Sequence, residues 1–176
     1  MAYINPAPGS SSKIVLTIDT LAASTVTTTA GVITDIALGA TAANRIEVPA
    51  IQDITVNAAN DLMTWSQLDT SAKLQVATTS TNSVSMNIVV DPDTFFGTTL
   101  DAAQTATAAA QGLLGLSRNK TAIAFTLKVQ ENASNDKVIK GQGFITGLAP
   151  AISADSPVWV SPITITVSGE YLVKAS

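Results

Sequence analysis

Chemistry in this chain would have to come from carboxylates, hydroxyls and amides, because it contains neither cysteine nor histidine. That removes thiol nucleophiles, disulfides, the Ser-His-Asp triad and every imidazole-ligated metal. Asp91 and Asp93 flank Pro92 and form the one close carboxylate pair beside a turn. Two acids at that spacing suggest paired carboxylate catalysis or a Ca²⁺ loop, but the twelve-residue calcium pattern is absent. Proline between two acids reads instead as a turn leading into a helix, with an aspartate as cap. Gly141-Gln142-Gly143 lacks the third glycine and following helix of a nucleotide-binding loop, so a bulge or close backbone approach in a strand is expected. Asn119-Lys120-Thr121 and Asn132-Ala133-Ser134 match the glycosylation triplet, which without a secretory signal is a chance match. Trp65 and Trp159 are the only tryptophans. Isolated tryptophans belong to cores or interfaces more often than to ligand platforms.

Composition sets the frame in which those residues act. The 176 residues suffice for one domain with a sizeable core. Hydrophobic residues make up 46% and charged ones 12%, far from a disordered composition and low enough to suggest surface hidden against other subunits. Aromatics at 5% argue against a stacking platform for bases or sugars. A net charge of −4 argues against holding nucleic acid or an anionic membrane, and no cluster of Lys or Arg exists. No apolar run approaches the roughly 18 residues of a membrane span. Met1-Ala2-Tyr3-Ile4-Asn5-Pro6 has no signal-peptide pattern, so use without secretion is expected.

The elements that must position these residues are mostly strands. Met1 to Ser12, with Pro6, Pro8 and Gly9, reads as an N-terminal arm, left dangling or reaching onto a neighbouring subunit. Lys13 to Thr20 alternates as a half-buried strand. Leu21 to Thr34 reads as one or two Thr/Val-rich strands, Ile36 to Asn44 as a loop, and Arg45 to Asn57 as a β segment interrupted by Pro49. Ala58-Ala59-Asn60-Asp61 reads as a turn. Met63 to Gln67 and Lys73 to Thr79 then form a hairpin pair, and Thr78 to Asn82 turns into the strand Ser83 to Val90. One helix is predicted over about 100–116, capped by Thr99 or Asp101, with an alanine-rich stripe and a frayed end at Gly112 and Gly115. Ala122 to Gln130, Lys137 to Leu148 and Val158 to Tyr171 complete the β segments. The resulting organisation is an arm over 1–12, one β domain over 13–171 and a C-terminal tail over 172–176.

The order from Ser83 to Tyr171 resembles the major tail (tail tube) proteins of long, non-contractile bacteriophage tails. The resemblance lies in a strand, an acidic Pro-containing turn, and a helix with small residues and the Leu-Leu pair of Gln111-Gly112-Leu113-Leu114. After these come the strand Ala124 to Val129, the pattern Gly143-Phe144-Ile145-Thr146-Gly147-Leu148, the loop Ser153 to Pro157, and the final strand Ile163 to Gly169. It covers about half the chain and is a pattern of order and spacing. The sequence departs from many relatives in that no appended immunoglobulin-like domain is expected.

This resemblance implies a mainly β fold: a β-sandwich or partial barrel with one flanking helix. It implies six-membered rings stacked into a tube of the virion tail, assembled in the host cytoplasm, through which DNA passes without specific binding. Tape-measure, tail terminator and distal tail proteins are the implied partners beside the chain itself. No catalysis, cofactor, metal or membrane insertion is expected. Asp19, Glu47, Asp53 and Glu170 are the acidic residues expected to face the channel. Tyr3, Ile4, Trp65 and Leu172 are the expected inter-subunit contacts. The alternatives are a capsid decoration or other virion assembly protein, and an extracellular β-sandwich binding or adhesion module. An enzyme is the weakest reading.

Overall fold

The computed structural model describes residues 14–48, 51–66, 73–129, 137–153 and 156–175. Strands dominate because Val, Ile and Thr alternate with polar residues over most of the chain. In order they are β1 (Ile14–Thr20), β2 (Thr25–Thr29), β3 (Val32–Ala37), β4 (Ile46–Val48), β5 (Ile51–Ser66) and β6 (Lys73–Val89). Two helices follow, α1 (Pro92–Phe96) and α2 (Ala108–Arg118). The chain closes with β7 (Ile123–Val129), β8 (Lys137–Leu148), β9 (Ala151–Ser153), β10 (Ser156–Val167) and β11 (Leu172–Ala175).

One antiparallel sheet runs β4-β1-β7-β8-β10-β6-β5, with β11 added to β8 and β9 to β10. Its register aligns apolar residues across strands. Leu16 and Ile18 of β1 sit opposite Leu127 and Phe125 of β7, and Ile163 and Ile165 of β10 sit opposite Met86 and Val84 of β6. All eight are at most 2% exposed. Because the side-chain period of a strand is two, this register sends every apolar set to one face.

A single packed cluster takes in Ile46 and Val48 from one end of the sheet and Val84, Met86 and Ile88 from near the other. The sheet therefore rolls around one core as a partial barrel. Phe95 of α1 and Leu113 and Leu116 of α2 enter that core with no exposure, and α2 packs on β8, β1 and β4. Gly141 leaves room for Phe125, its cross-strand partner: a Cβ there would lie 2.6 Å from the ring. Gly143 is a close backbone approach, its missing Cβ lying against Thr166 O.

The helix begins later than the alanine pattern predicts. Leu100 to Ala106 is loop and turn, and Leu100 is 79% exposed. Thr107, not Thr99 or Asp101, caps α2 by accepting from Ala110 N. Asp101 instead pairs with Arg118 across the loop. Tertiary structure overrides propensity here because Gln111, 2% exposed, holds the loop from inside. Its Nε2 donates to the carbonyls of Gln104 and Ala106, while its Oε1 accepts from Asn119 and Thr121.

Gly112 is not a frayed end either. It interrupts α2 with φ 66° and ψ 175° and lies against Gly97, whose φ is 84° and ψ 161°. A Cβ on Gly112 would sit 2.2 Å from Gly97 N. The predicted turn at Ala58 to Asp61 is also absent, since β5 and β6 form one long hairpin through it and through Thr78 to Asn82. Leu172 to Ala175, read from sequence as a tail, is a strand on β8.

The β2–β3 hairpin is a separate two-stranded sheet. Ala30 (φ 51°) and Gly31 (φ 81°) make its tight turn, the left-handed pair that matches strand twist. Asp35 ties it to the main sheet, its carboxylate lying 2.8 Å from Lys140 Nζ of β8 and 3.1 Å from Lys174 Nζ of β11. These two cations hold the carboxyl at about 2, below its ordinary 3.8.

Candidate assembly surface

The β5–β6 hairpin outruns the body of the protein. β6 pairs with β10 only from Asn82 to Val89, so Lys73 to Thr81 pairs with β5 alone. At roughly 3.3 Å per residue, that is a ribbon about 30 Å long. Its root is fastened by the turn after β10. Tyr171 Oη lies 2.7 Å from Ser83 O and 3.1 Å from Asn57 O, and Asn82 Nδ2 donates to Gly169 O at 2.8 Å. Burial raises the Tyr171 pKa, which keeps the hydroxyl protonated as a donor.

Along the ribbon, local bonds set shape and apolar residues remain uncovered. A register shift falls between Asn60 and Leu62. There Asp61 accepts from Thr79 Oγ1 and Asn60 accepts from Ser80 Oγ. Beyond it Leu62 and Met63 are 59% and 58% exposed, and Val76, paired with Met63, is exposed too. The register places Trp65 opposite Leu74, two positions further on. An isolated two-stranded ribbon is marginal in water, and exposed apolar strand surface is a pairing site.

Lateral surface is also incomplete. Among the described residues the strand path ends at β4 and β5, which are therefore the two edges of the sheet. The face of β10, β6, β5 and residues 143–148 turned away from the core is polar apart from Phe144, which lies opposite Thr166 and is 42% exposed. Thr55 and Thr164 flank Ser85, and Asn57 and Thr166 flank Ser83. Thr146 and Thr166 share a hydroxyl bond of 2.8 Å. Asp53 is the carboxylate on this face, bonded to Asn87 N and Nδ2. Lys and Arg are absent from β10, from 82–89, from 51–60 and from 143–148.

The acidic residues expected to face the channel are dispersed. Asp53 lies on the polar face just described, and Glu47 is exposed on β4, at the other end of the strand path. Glu170 is exposed in the turn between β10 and β11. Asp19 is 1% exposed, its oxygens accepting from Thr20 N and Gly39 N, so it fastens the loop after β3 to β1 and presents no charge outward. Of the expected contact residues, Trp65 is near the ribbon tip and Leu172 opens β11 opposite Lys140. Tyr3 and Ile4 lie outside the described residues.

Among the described residues the geometry gathers no catalytic constellation. Asp91 caps α1 through Thr94 N and Thr94 Oγ1. Among the described residues no three acidic groups gather as a metal site, and no helix is long and apolar enough to cross a membrane. Sequence reasoning missed one surface feature. Val90, Pro92, Phe96, Ile152, Val158 and Trp159 line a groove of about 500 Å³. Phe96 and Trp159 meet edge to face at 6.1 Å. The Phe-Phe pair at 95–96 was the available signal, since α1 can bury one ring and must present the next.

No protein-family model and no curated protein matches the chain. Solved structures do. The hybrid structure of the SPP1 tail tube matches with a TM-score of 0.54 at 10% identity, covering 92% of this chain and 77% of that one. The tail of an empty gene transfer agent particle with C6 symmetry matches with a TM-score of 0.52 at 10% identity, covering 74% and 87%. A chain of the native gene transfer agent virion matches with a TM-score of 0.53 at 10% identity, covering 74% and 89%. The chain shares the fold of these tail structures, a mainly β fold with a rolled antiparallel sheet and a flanking helix.

Proposed function

We propose that this chain is a self-assembling structural subunit of a phage tail tube. Copies close into rings through the β4 and β5 edges, rings stack, and the polar face lines a channel for the genome. The observation that carries the reading is the β5–β6 ribbon: about 30 Å of two-stranded sheet that exposes Leu62, Met63 and Val76, on a fold shared with assembled tails. Ring closure would remove the lateral edges, and head-to-tail contact between rings would cover the ribbon and extend without limit. Six copies per ring is the number proposed, by likeness to a fold neighbour whose tail has C6 symmetry.

The polar face suits a conduit. Hydroxyl and amide groups with Phe144, one carboxylate and no Lys or Arg over these segments give phosphates no cation to pair with, and a net charge of −4 repels them. DNA would slide rather than stick. On this reading the chain has no catalytic role, resides in the virion tail after assembly in the host cytoplasm, and meets tape-measure, terminator and distal tail proteins at the tube's bore and ends. On this reading Asp53 faces the bore.

Replacing both Leu62 and Met63 by aspartate tests the ribbon. These side chains are exposed in the single subunit, so the melting transition should stay within about 0.5 kcal/mol of the native chain. Light scattering should show assembly abolished. Assembly at native concentration by the doubly substituted chain would overturn the ribbon's role.

A further inference from the structure

The ribbon leaves the body where β10 ends. Val167, the last residue of β10, pairs with Asn82, and past that point the strand pairing is β5 with β6 alone. Two-stranded ribbons twist more, and more variably, than wider sheets. The ribbon's own ladder therefore leaves its direction at the root loosely set. Tyr171 and Asn82 act at that root. Tyr171 Oη spans the cross-strand pair Asn57 and Ser83, 3.1 and 2.7 Å from their carbonyl oxygens. Asn82 is 5% exposed and donates from Nδ2 to Gly169 O at 2.8 Å. The turn that makes both contacts is anchored away from the ribbon. Ser168 N donates to Gln142 O at 2.7 Å, Tyr171 packs against the core, and Leu172 pairs with Lys140 of β8.

We propose that Tyr171 is the positioning residue of the ribbon: its hydroxyl, with Asn82, fixes the direction in which the ribbon leaves the body. It thereby sets where Leu62, Met63 and Val76 are presented to a second copy, a consequence that rests on the tube reading above. Leverage gives one hydroxyl this reach. A swing of about 10°, within the range over which paired strands vary in twist, carries the end of a ribbon about 30 Å long through about 5 Å. Apolar side chains touch only within about 4.5 Å, so that swing takes the exposed residues out of contact. The ring of Tyr171 holds the turn to the core, and its hydroxyl holds the ribbon to the turn.

Tyr171→Phe removes the hydroxyl and keeps the ring. The chain has no cysteine, so spin labels can be placed at Val76→Cys on the ribbon and Leu114→Cys on α2. In subunits diluted below assembly, pulsed electron spin resonance should give a narrow distance with Tyr171 and one broadened by about 5 Å with Tyr171→Phe. In the unlabelled chain Tyr171→Phe should raise the assembly threshold, read by light scattering, about tenfold. An ensemble with about one tenth of its ribbons correctly directed binds about tenfold more weakly. Ile18→Val, which removes a methylene from the core on β1, is the control for lost stability. It should lower the melting temperature and change neither readout. A distance in Tyr171→Phe no broader than that in Ile18→Val would overturn the positioning role. A broadened distance with the native assembly threshold would overturn its consequence for assembly. A native chain that closes into discrete particles, while Tyr171→Phe broadens the distance, would count against the tube reading and support Tyr171 as the residue that directs the ribbon.

Discussion

Substituting Gly112 by alanine separates two costs that the structure places at one residue. Its φ of 66° with ψ of 175° lies in a region that is essentially glycine-only, and occupying it costs another residue about 1–3 kcal/mol. The added Cβ would also fall 2.2 Å from Gly97 N and 2.6 Å from Phe96 C, backbone atoms that cannot swing aside. Overpacking of this kind costs about 1–3 kcal/mol. Together these give a loss of about 2–6 kcal/mol, a large fraction of the total stability of a domain this size. Gly31→Ala serves as the reference, since Gly31 has φ 81° and nothing within 4 Å of an added Cβ, and so reports backbone strain alone. Chemical denaturation with far-UV circular dichroism measures both. A Gly112→Ala loss no larger than that of Gly31→Ala would refute the glycine–glycine contact between α1 and α2.

Gln111→Leu should cost about 2–4 kcal/mol, because it strips partners from two carbonyls and from the buried Thr121 hydroxyl; thermal unfolding reads it. Thr107→Ala should cost about 1 kcal/mol, whereas Thr99→Ala, outside the cap, should be near neutral by the same measurement. Asp35→Asn should loosen the β2–β3 hairpin and β11, seen as faster amide exchange in both. Because the Asp35 carboxyl is 39% exposed, solvent screening limits the effect to about 1 kcal/mol or less. The Asp35 pKa is lowered on folding, so its contribution is full above the ordinary carboxylate value of 3.8 and fades as pH falls towards about 2. The Asp35→Asn chain should lose the part of the acid transition that lies in that window.

The strands were legible wherever apolar and polar residues alternate against a buried face. β1, β7 and the inner residues Ile163, Ile165 and Val167 of β10 follow directly from that alternation, because register is strongly specified when one face is core. The long hairpin was not, since Ala58-Ala59-Asn60-Asp61 has turn composition. It stays extended through cross-strand pairing and the Asp61–Thr79 and Asn60–Ser80 bonds. The helix start was misplaced because alanine propensity is weak compared with the buried Gln111 network, which no local pattern announces. Asp19 reads as an outward acid by alternation. It is covered because the segment ending at Gly39 folds back over that face, a contact twenty residues away. The polar face was visible only in part: Thr164 and Thr166 stand out as the outer side of β10, yet their alignment with Ser85 and Ser83 depends on strand order.

Negative-stain electron microscopy of the full chain across a concentration series tests the tube reading most directly. The account predicts stacked rings and hollow tubes of one diameter, with six-fold symmetry in end views. Closed discrete particles such as trimers, or flat lattices without a bore, would contradict it and place the chain among decoration or surface proteins.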